Sequence, residues 1–168
     1  MNEEILDVLI VGSGISGIGA GAHLSMKCPD KSYLILEGRE NFGGTWDLFK
    51  YPGIRSDSDM HTLGYSFKPW IDKKSIADAP SIMEYLEETI QEYELTNKIR
   101  YSHYVQSAEW SSEESLWTLS VEDKKLGNTK IFKSAFLYMC AGYYSYKQGY
   151  LPEFQGYDDF KGDIIQPI

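Results

Sequence analysis

Apolar and polar positions change period several times along the first fifty residues, and glycines mark the changes. Residues 6–11 (LDVLIV) form a short apolar run rich in branched side chains and closed by Gly12, the pattern of a strand buried on both faces. From about Ser16 to Lys27 the period becomes helical, with Ile15, Ile18, Ala22 and Met26 spaced to line one face and Pro29 just beyond the end. Residues 32–37 (SYLILE) return to the buried-strand pattern. Strand, glycine-rich turn, helix and strand in that order predict a βαβ unit with a parallel sheet. A second amphipathic helix is expected from about Pro80 to Leu95, with Ile82, Tyr85, Leu86, Thr89, Ile90 and Tyr93 on one stripe, a proline at its start and acids in its early turns.

Beyond Tyr101 the period drops to two. Residues 105–110, 116–122 and 129–132 read as strands separated by the turn-forming stretches SSEE and DKKLGN, which predicts an antiparallel meander. Residues 136–142 (FLYMCAG) are again continuously apolar and are expected to form a further, central parallel strand. The fold class predicted is therefore α/β: a Rossmann-like domain plus an antiparallel β-meander, in one compact unit of 168 residues.

Charge narrows the functional classes. Sixteen basic against twenty-five acidic residues leave a net charge of −9, and no Lys/Arg-rich run offers a footprint for a phosphate backbone, so nucleic acid is not an expected partner. Cys28 and Cys140 lie outside any CxxC spacing and read as small apolar fillers at element ends, which suits a reducing, cytoplasmic compartment. The start MNEEILDVLIV carries acids where a secretory leader needs bases, and its apolar run is too short to span a membrane. His23 and His61 lack spaced His, Cys or acid neighbours, so no metal site is expected.

Candidate chemistry begins at Gly12, Gly14 and Gly17, which form GxGxxG between the first strand and the first helix. In such a turn the first glycine permits a tight bend, the second lets the backbone approach a pyrophosphate, and the third lets helix and strand pack, while the helix N-terminus faces the anion. Glu37 ends the next strand twenty residues after Gly17, where a carboxylate accepts hydrogen bonds from ribose hydroxyls and disfavours a 2'-phosphate. The first nucleotide expected is FAD or NAD, not NADP. A solvated acid at a strand end is the plainer alternative for Glu37.

After the second strand the chain enters a long aromatic-rich loop, residues 38–80, where a simple NAD dehydrogenase would continue with further βα units. Its sequence GGTWDLFKYPGIRSDSDMHTLGYSFKPW, with GGTW, YPG and RSD, resembles the class B flavoprotein monooxygenases, most closely Baeyer-Villiger monooxygenases of the ethionamide-activating type. The resemblance runs from Asp7 to about Ile165 and takes in EYLEETIQEYELTNKIRY, SAEW and FLYMCAGYYSY.

The resemblance implies an NADPH- and O2-dependent enzyme that turns a ketone into an ester or oxidises a sulfur or nitrogen centre on bound FAD. It would place Gly12, Ser13, Gly14, Ser16 and Gly17 at the FAD pyrophosphate and Glu37 at the adenosine ribose. Thr45, Trp46, Asp47 and Leu48 would lie on the flavin side, and Val105 would meet the adenine through its backbone. Arg55, Ser56 and Asp57 would lie near the nicotinamide, with Asp57 the catalytic candidate that pairs with an active-site arginine. Beside these stand structural alternatives. Trp46, Tyr51, Tyr65, Phe67 and Trp70 also read as loop aromatics packing onto the sheet, and Asp59 as the cap of a short helix near Met60.

The resemblance also fails in one place. The family fingerprint FxGxxxHxxxW would start at Phe160 and Gly162, yet Gln166 stands at its His position, and there is no second GxGxxG for NADPH and no matching active-site arginine. Residues 1–168 are thus expected to be the N-terminal portion of an FAD-binding domain, an incomplete two-dinucleotide-binding fold, with a separate chain or a C-terminal part supplying the remainder. A non-catalytic flavin or nucleotide module and an NAD-dependent dehydrogenase remain as alternatives.

Overall fold

A computed structural model describes residues 5–145, 149–150 and 152–164. Tyr146, Ile165 and Gln166, which figure in the resemblance, lie outside the described residues. The chain builds one six-stranded sheet in the order β3-β2-β1-β6-β5-β4. Strands β1 (Ile5–Val11), β2 (Tyr33–Leu36) and β3 (Ile99–Arg100) pair in parallel, as does β1 with β6 (Asn128–Met139). Strands β4 (His103–Ser111) and β5 (Leu116–Asp123) complete the antiparallel part with β6.

The expected meander strand and the expected central strand prove to be one. Residues 128–134 of β6 pair antiparallel with β5, while residues 133–139 pair parallel with β1, so a single strand changes partners at Lys133 and Ser134. Strand β3, only two residues long, gave no periodic signal at all.

Helices α1 (Ile15–Lys27) and, once the long loop's two four-residue helices α2 (Thr45–Leu48) and α3 (Met60–Leu63) are counted, α4 (Ala79–Glu92) follow the predicted pattern. Ile18 and Ala22 of α1 and Ile82, Leu86 and Ile90 of α4 pack with Ile10, Ile35 and Ile99 from the three parallel strands. Met26, placed on that stripe by spacing, is exposed. The cap of α4 is Asp78, whose carboxylate accepts from the Ser81 N–H, and no acid lies in the first turn itself. On the opposite face Leu9, Val11 and Leu36 pack with Leu119 and Val121, so the antiparallel half folds back across the sheet.

The 38–80 loop is not loose. Tyr65 stacks on Phe67 at 4.8 Å and on Tyr85 at 5.6 Å, and the Trp70 ring meets Tyr85 edge-on at 5.6 Å. Those aromatics pack as expected, whereas Tyr51 is exposed. Asp59 caps α3 by accepting from the N–H and hydroxyl of Thr62. Cys28 is an exposed free thiol at the end of α1 and fills no apolar site; Cys140 is half-buried.

Two carboxylates tie strands together. The Ser32 N–H first, then Lys31 and the Ser32 hydroxyl, hold Asp7 down at about 2. Lys130, then the Leu126 and Lys125 N–H groups, hold Asp123 at about 2. Both groups titrate lower in the fold than in an unfolded chain, so their stabilisation is complete above about pH 4 and is lost as pH falls through about 2. The melting temperature is expected to fall steadily across that window. In an Asp7→Asn, Asp123→Asn double variant the fall should be visibly shallower when unfolding is followed by circular dichroism at stepped pH; identical pH profiles would refute the assignment.

Candidate functional site

The glycine-rich turn sits at the carboxyl ends of the central strands, held by the Gly12 N–H donating to Leu36 O at 2.8 Å and the Cys140 N–H donating to Val11 O at 2.8 Å. Two of its glycines are demanded by the chain itself. A Cβ on Gly12 would lie 2.5 Å from Cys140 O, at a φ of +101° that side chains rarely adopt, and one on Gly17 would lie 1.9 Å from Gly12 O. Gly14 differs. It has φ −75° and ψ −171°, and a Cβ there would make only ordinary contact, 3.6 Å from Gly44 Cα. Nothing among the described residues requires glycine at 14, and the position is open to the approach of an outside group. Gly14 is also the N-cap of α1 and offers no side-chain cap, so the first N–H groups of that helix remain available to an anion.

Glu37, 8% exposed, stands directly under the turn. Its Oε2 accepts from both the N–H and the hydroxyl of Ser13 at 2.8 Å, and its Oε1 accepts from the Arg39 N–H at 2.9 Å. A carboxylate has about four acceptor positions, so roughly one is left for an outside donor unless Ser13 Oγ yields its place. Ser13 is fully buried, while the Ser16 side chain is exposed on the first turn of α1.

The GGTW stretch lies on this turn. The Gly43 N–H donates to Ser13 O at 2.9 Å, and Gly44 faces Gly14 closely enough that a Cβ would come within 3.1 Å of Gly14 Cα. Thr45, Trp46, Asp47 and Leu48 form α2 immediately afterward. Trp46 packs against the helix-side core, and the Asp47 carboxylate is buried against the Arg39 guanidinium, with Lys50 at 3.1 Å. Arg39 Nη1 also donates to Gly44 O at 3.2 Å, so one side chain spans from the end of β2 to the loop.

The structure therefore brings Gly12 to Gly17, Glu37 and Gly43 to Leu48 into one cluster. Val105 lies beside it on β4, which starts with the His103 N–H donating to Glu37 O at 2.8 Å, and a bulge interrupts the β4–β5 register between Val105 and Ser107. Its side chain is half-buried in the second core cluster. Arg55, Ser56 and Asp57 make no hydrogen bond or ion pair to that cluster among the described residues; the Ser56 N–H donates to Ala77 O at 2.9 Å, and the Arg55 backbone pairs with that of Asp78 in an isolated antiparallel bridge. The Ser56 hydroxyl is taken up by the Ser58 N–H. Asp57 is exposed and makes no hydrogen bond or ion pair among the described residues. It lies near Tyr144, whose hydroxyl is pushed up chiefly by its bond to Tyr143, with the Asp57 charge a smaller contributor.

Two site residues escaped sequence reasoning. Arg39 follows Glu37 by two positions, but its partner Asp47 comes later in the loop at no regular period, so only the loop's folded path pairs them. Tyr65, read as packing, also donates its hydroxyl to Ile15 O at the start of α1; burial first, and then the neighbouring Tyr85 hydroxyl, push its pKa far up. No group of three metal-ligating side chains occurs among the described residues, and no helix among them is long and apolar enough to cross a membrane.

A protein-family profile described as an NAD(P)-binding Rossmann-like domain matches residues 10–72, from the end of β1 into the aromatic loop. The FAD-containing monooxygenase EthA of Mycolicibacterium smegmatis is 58% identical over 164 residues, which are 98% of this chain and 33% of that protein. The chain is related to the N-terminal part of the FAD-containing monooxygenases. It spans about a third of the length of the curated relatives it matches. Among solved monooxygenases, an oxidised steroid monooxygenase bound to NADP superposes with a TM-score of 0.75 at 30% identity, over 95% of this chain and 30% of that one. The monooxygenase OTEMO in complex with FAD and NADP gives 0.74 at 25% identity, over 94% of this chain and 29% of that one. The monooxygenase likeness thus covers the meander as well as the βαβ unit.

Proposed function

We propose that the chain forms the FAD-binding part of an NADPH- and O2-dependent flavin monooxygenase of the Baeyer-Villiger type, which converts ketones to esters or oxidises sulfur or nitrogen centres. Residues 1–168 then make up the N-terminal portion of its FAD-binding domain, and the NADPH-binding domain lies outside residues 1–168, in a C-terminal part or a separate chain. The observation that carries this reading is Gly14, a glycine that packing among the described residues does not require, set between an uncapped helix N-terminus and the Gly43–Gly44 loop. The free thiols of Cys28 and Cys140 suit a reducing cytoplasm.

When bound, FAD would supply hydride acceptance from NADPH and oxygen activation. The residues divide the remaining work. The N–H groups at the Gly12 to Gly17 turn and the first turn of α1, with Ser13 and Ser16, receive the pyrophosphate. Glu37 orients the ribose through the acceptor position that Ser13 and Arg39 leave, and the Val105 backbone meets the adenine. Thr45, Trp46, Asp47 and Leu48 wall the flavin side and exclude water. Arg55, Ser56 and Asp57 face the nicotinamide, where the Asp57 carboxylate, unpaired among the described residues, holds and orients an arginine that is not among them.

The purified chain should retain FAD through gel filtration and bind it more tightly than NADP. Retention of NADP with no uptake of FAD would overturn the proposal.

A further inference from the structure

In a βαβ dinucleotide unit an acid at the end of the second strand takes the ribose 2'-hydroxyl, whereas an arginine nearby takes a 2'-phosphate. This chain carries both: Glu37 at the strand end and Arg39 two residues on, with the Arg39 N–H already on Glu37 Oε1 at 2.9 Å. Which nucleotide is accepted then depends on where the guanidinium points. Here its planar fork is spent elsewhere, Nη2 on the Asp47 carboxylate and Nη1 on Gly44 O at 3.2 Å. The Asp47 side chain is 7% exposed, and a carboxylate so buried holds its cation firmly because leaving it unpaired is costly. Lys50, at 3.1 Å from the other carboxylate oxygen, completes its pairing. Arg39 and Asp47 together line a groove of about 380 Å³ that starts at Gly38, the residue after the ribose carboxylate, and reaches Lys124 and Lys125.

We propose that Asp47 is a positioning residue for nucleotide specificity: by holding Arg39 against the α2 loop, it withholds from 2'-phosphorylated adenine nucleotides the arginine that would otherwise receive them. The inference rests on reading the Gly12 to Glu37 turn as an adenine-dinucleotide site. Asp47 thereby does two things with one bond, fixing the GGTW loop to β2 and removing a phosphate receptor from the adenosine end.

The test compares two probes that differ only by the 2'-phosphate, adenosine 5'-monophosphate and adenosine 2',5'-bisphosphate, titrated calorimetrically into the chain. The parent should favour the monophosphate. Asp47→Asn should shift the affinity ratio toward the bisphosphate by about tenfold, the worth of one charge-assisted contact, and the Asp47→Asn, Arg39→Gln double variant should lose that shift. A ratio unmoved in Asp47→Asn, with monophosphate binding intact, overturns the proposal alone. A parent that binds neither probe nor FAD removes the site reading and this proposal with it. Should Asp47→Asn fail to fold, Arg39→Gln decides: bisphosphate binding no weaker than in the parent supports the withheld arginine, and weaker binding shows that Arg39 already meets the phosphate.

Discussion

Replacing Gly17 by alanine is expected to cost more than about 3 kcal/mol of stability, which for a chain of this size is a drop in melting temperature of roughly 6–12 °C. The added Cβ would lie 1.9 Å from Gly12 O and 2.9 Å from Gly12 C, and both obstacles are backbone that cannot rotate aside. Relief requires α1 to move off β1, which breaks the packing of Ile18 and Ala22 beneath it. Gly14→Ala makes the informative contrast. At φ −75° with only ordinary contact to Gly44, the alanine should fold within about 1 kcal/mol of the parent, yet lower FAD affinity by at least about a hundredfold because the methyl occupies the path of the pyrophosphate. Melting curves and FAD titrations on the two variants separate the cases. Parent-like FAD affinity in Gly14→Ala would remove the turn from the ligand site.

The second large effect belongs to Asp57. In an enzyme built by joining this chain to the remainder of a relative such as the Mycolicibacterium smegmatis EthA, Asp57→Ala should leave flavin content unchanged. Ketone oxidation should drop on the order of a hundredfold, the rate equivalent of about 2 to 4 kcal/mol for the placement of one charged group. The separation of effects follows from position. Asp57 is exposed and makes no hydrogen bond or ion pair to the Gly12, Glu37 and Gly43 cluster among the described residues, so its loss removes none of the bonds that hold the turn and the loop lying on it. Flavin content is read from absorbance and turnover from ester formation; full turnover in the variant would confine the RSD segment to a structural part.

The sequence was readable where burial is two-sided or turns are forced by glycine. Leu9, Ile10 and Ile35 are inaccessible on both faces of the parallel strands, so residues 8–11 of β1 and 33–36 of β2 appear as unbroken apolar runs. The β6 strand reads as two because Lys133 and Ser134 interrupt its apolar pattern at the point where its pairing changes from β5 to β1. Four-residue helices and a two-residue strand are too short to set a period, which hid α2 and β3. Within the candidate site, Gly12, Gly14, Gly17 and Glu37 declared themselves by spacing. The Arg39–Asp47 pair did not, since it depends on how the loop after β2 returns over the turn, a property of the folded path and not of any local repeat.

The partner exchange along β6 also bears on how the chain is made. Strand β1 is synthesised first, but one of its two edges is filled only by residues 133–139. Until those emerge, a ribosome-bound chain holds a glycine-rich turn whose Gly12 lacks the neighbouring Cys140 backbone and whose central strand has an open edge. Closing so long a loop is entropically slow, and elongation of about 5–20 residues per second imposes a further wait of several seconds before it can begin. The nascent chain therefore passes through an interval in which β1 is available to other strands, and a delay inserted just before residue 133 would lengthen the time in which chaperones, and not β6, must keep it covered.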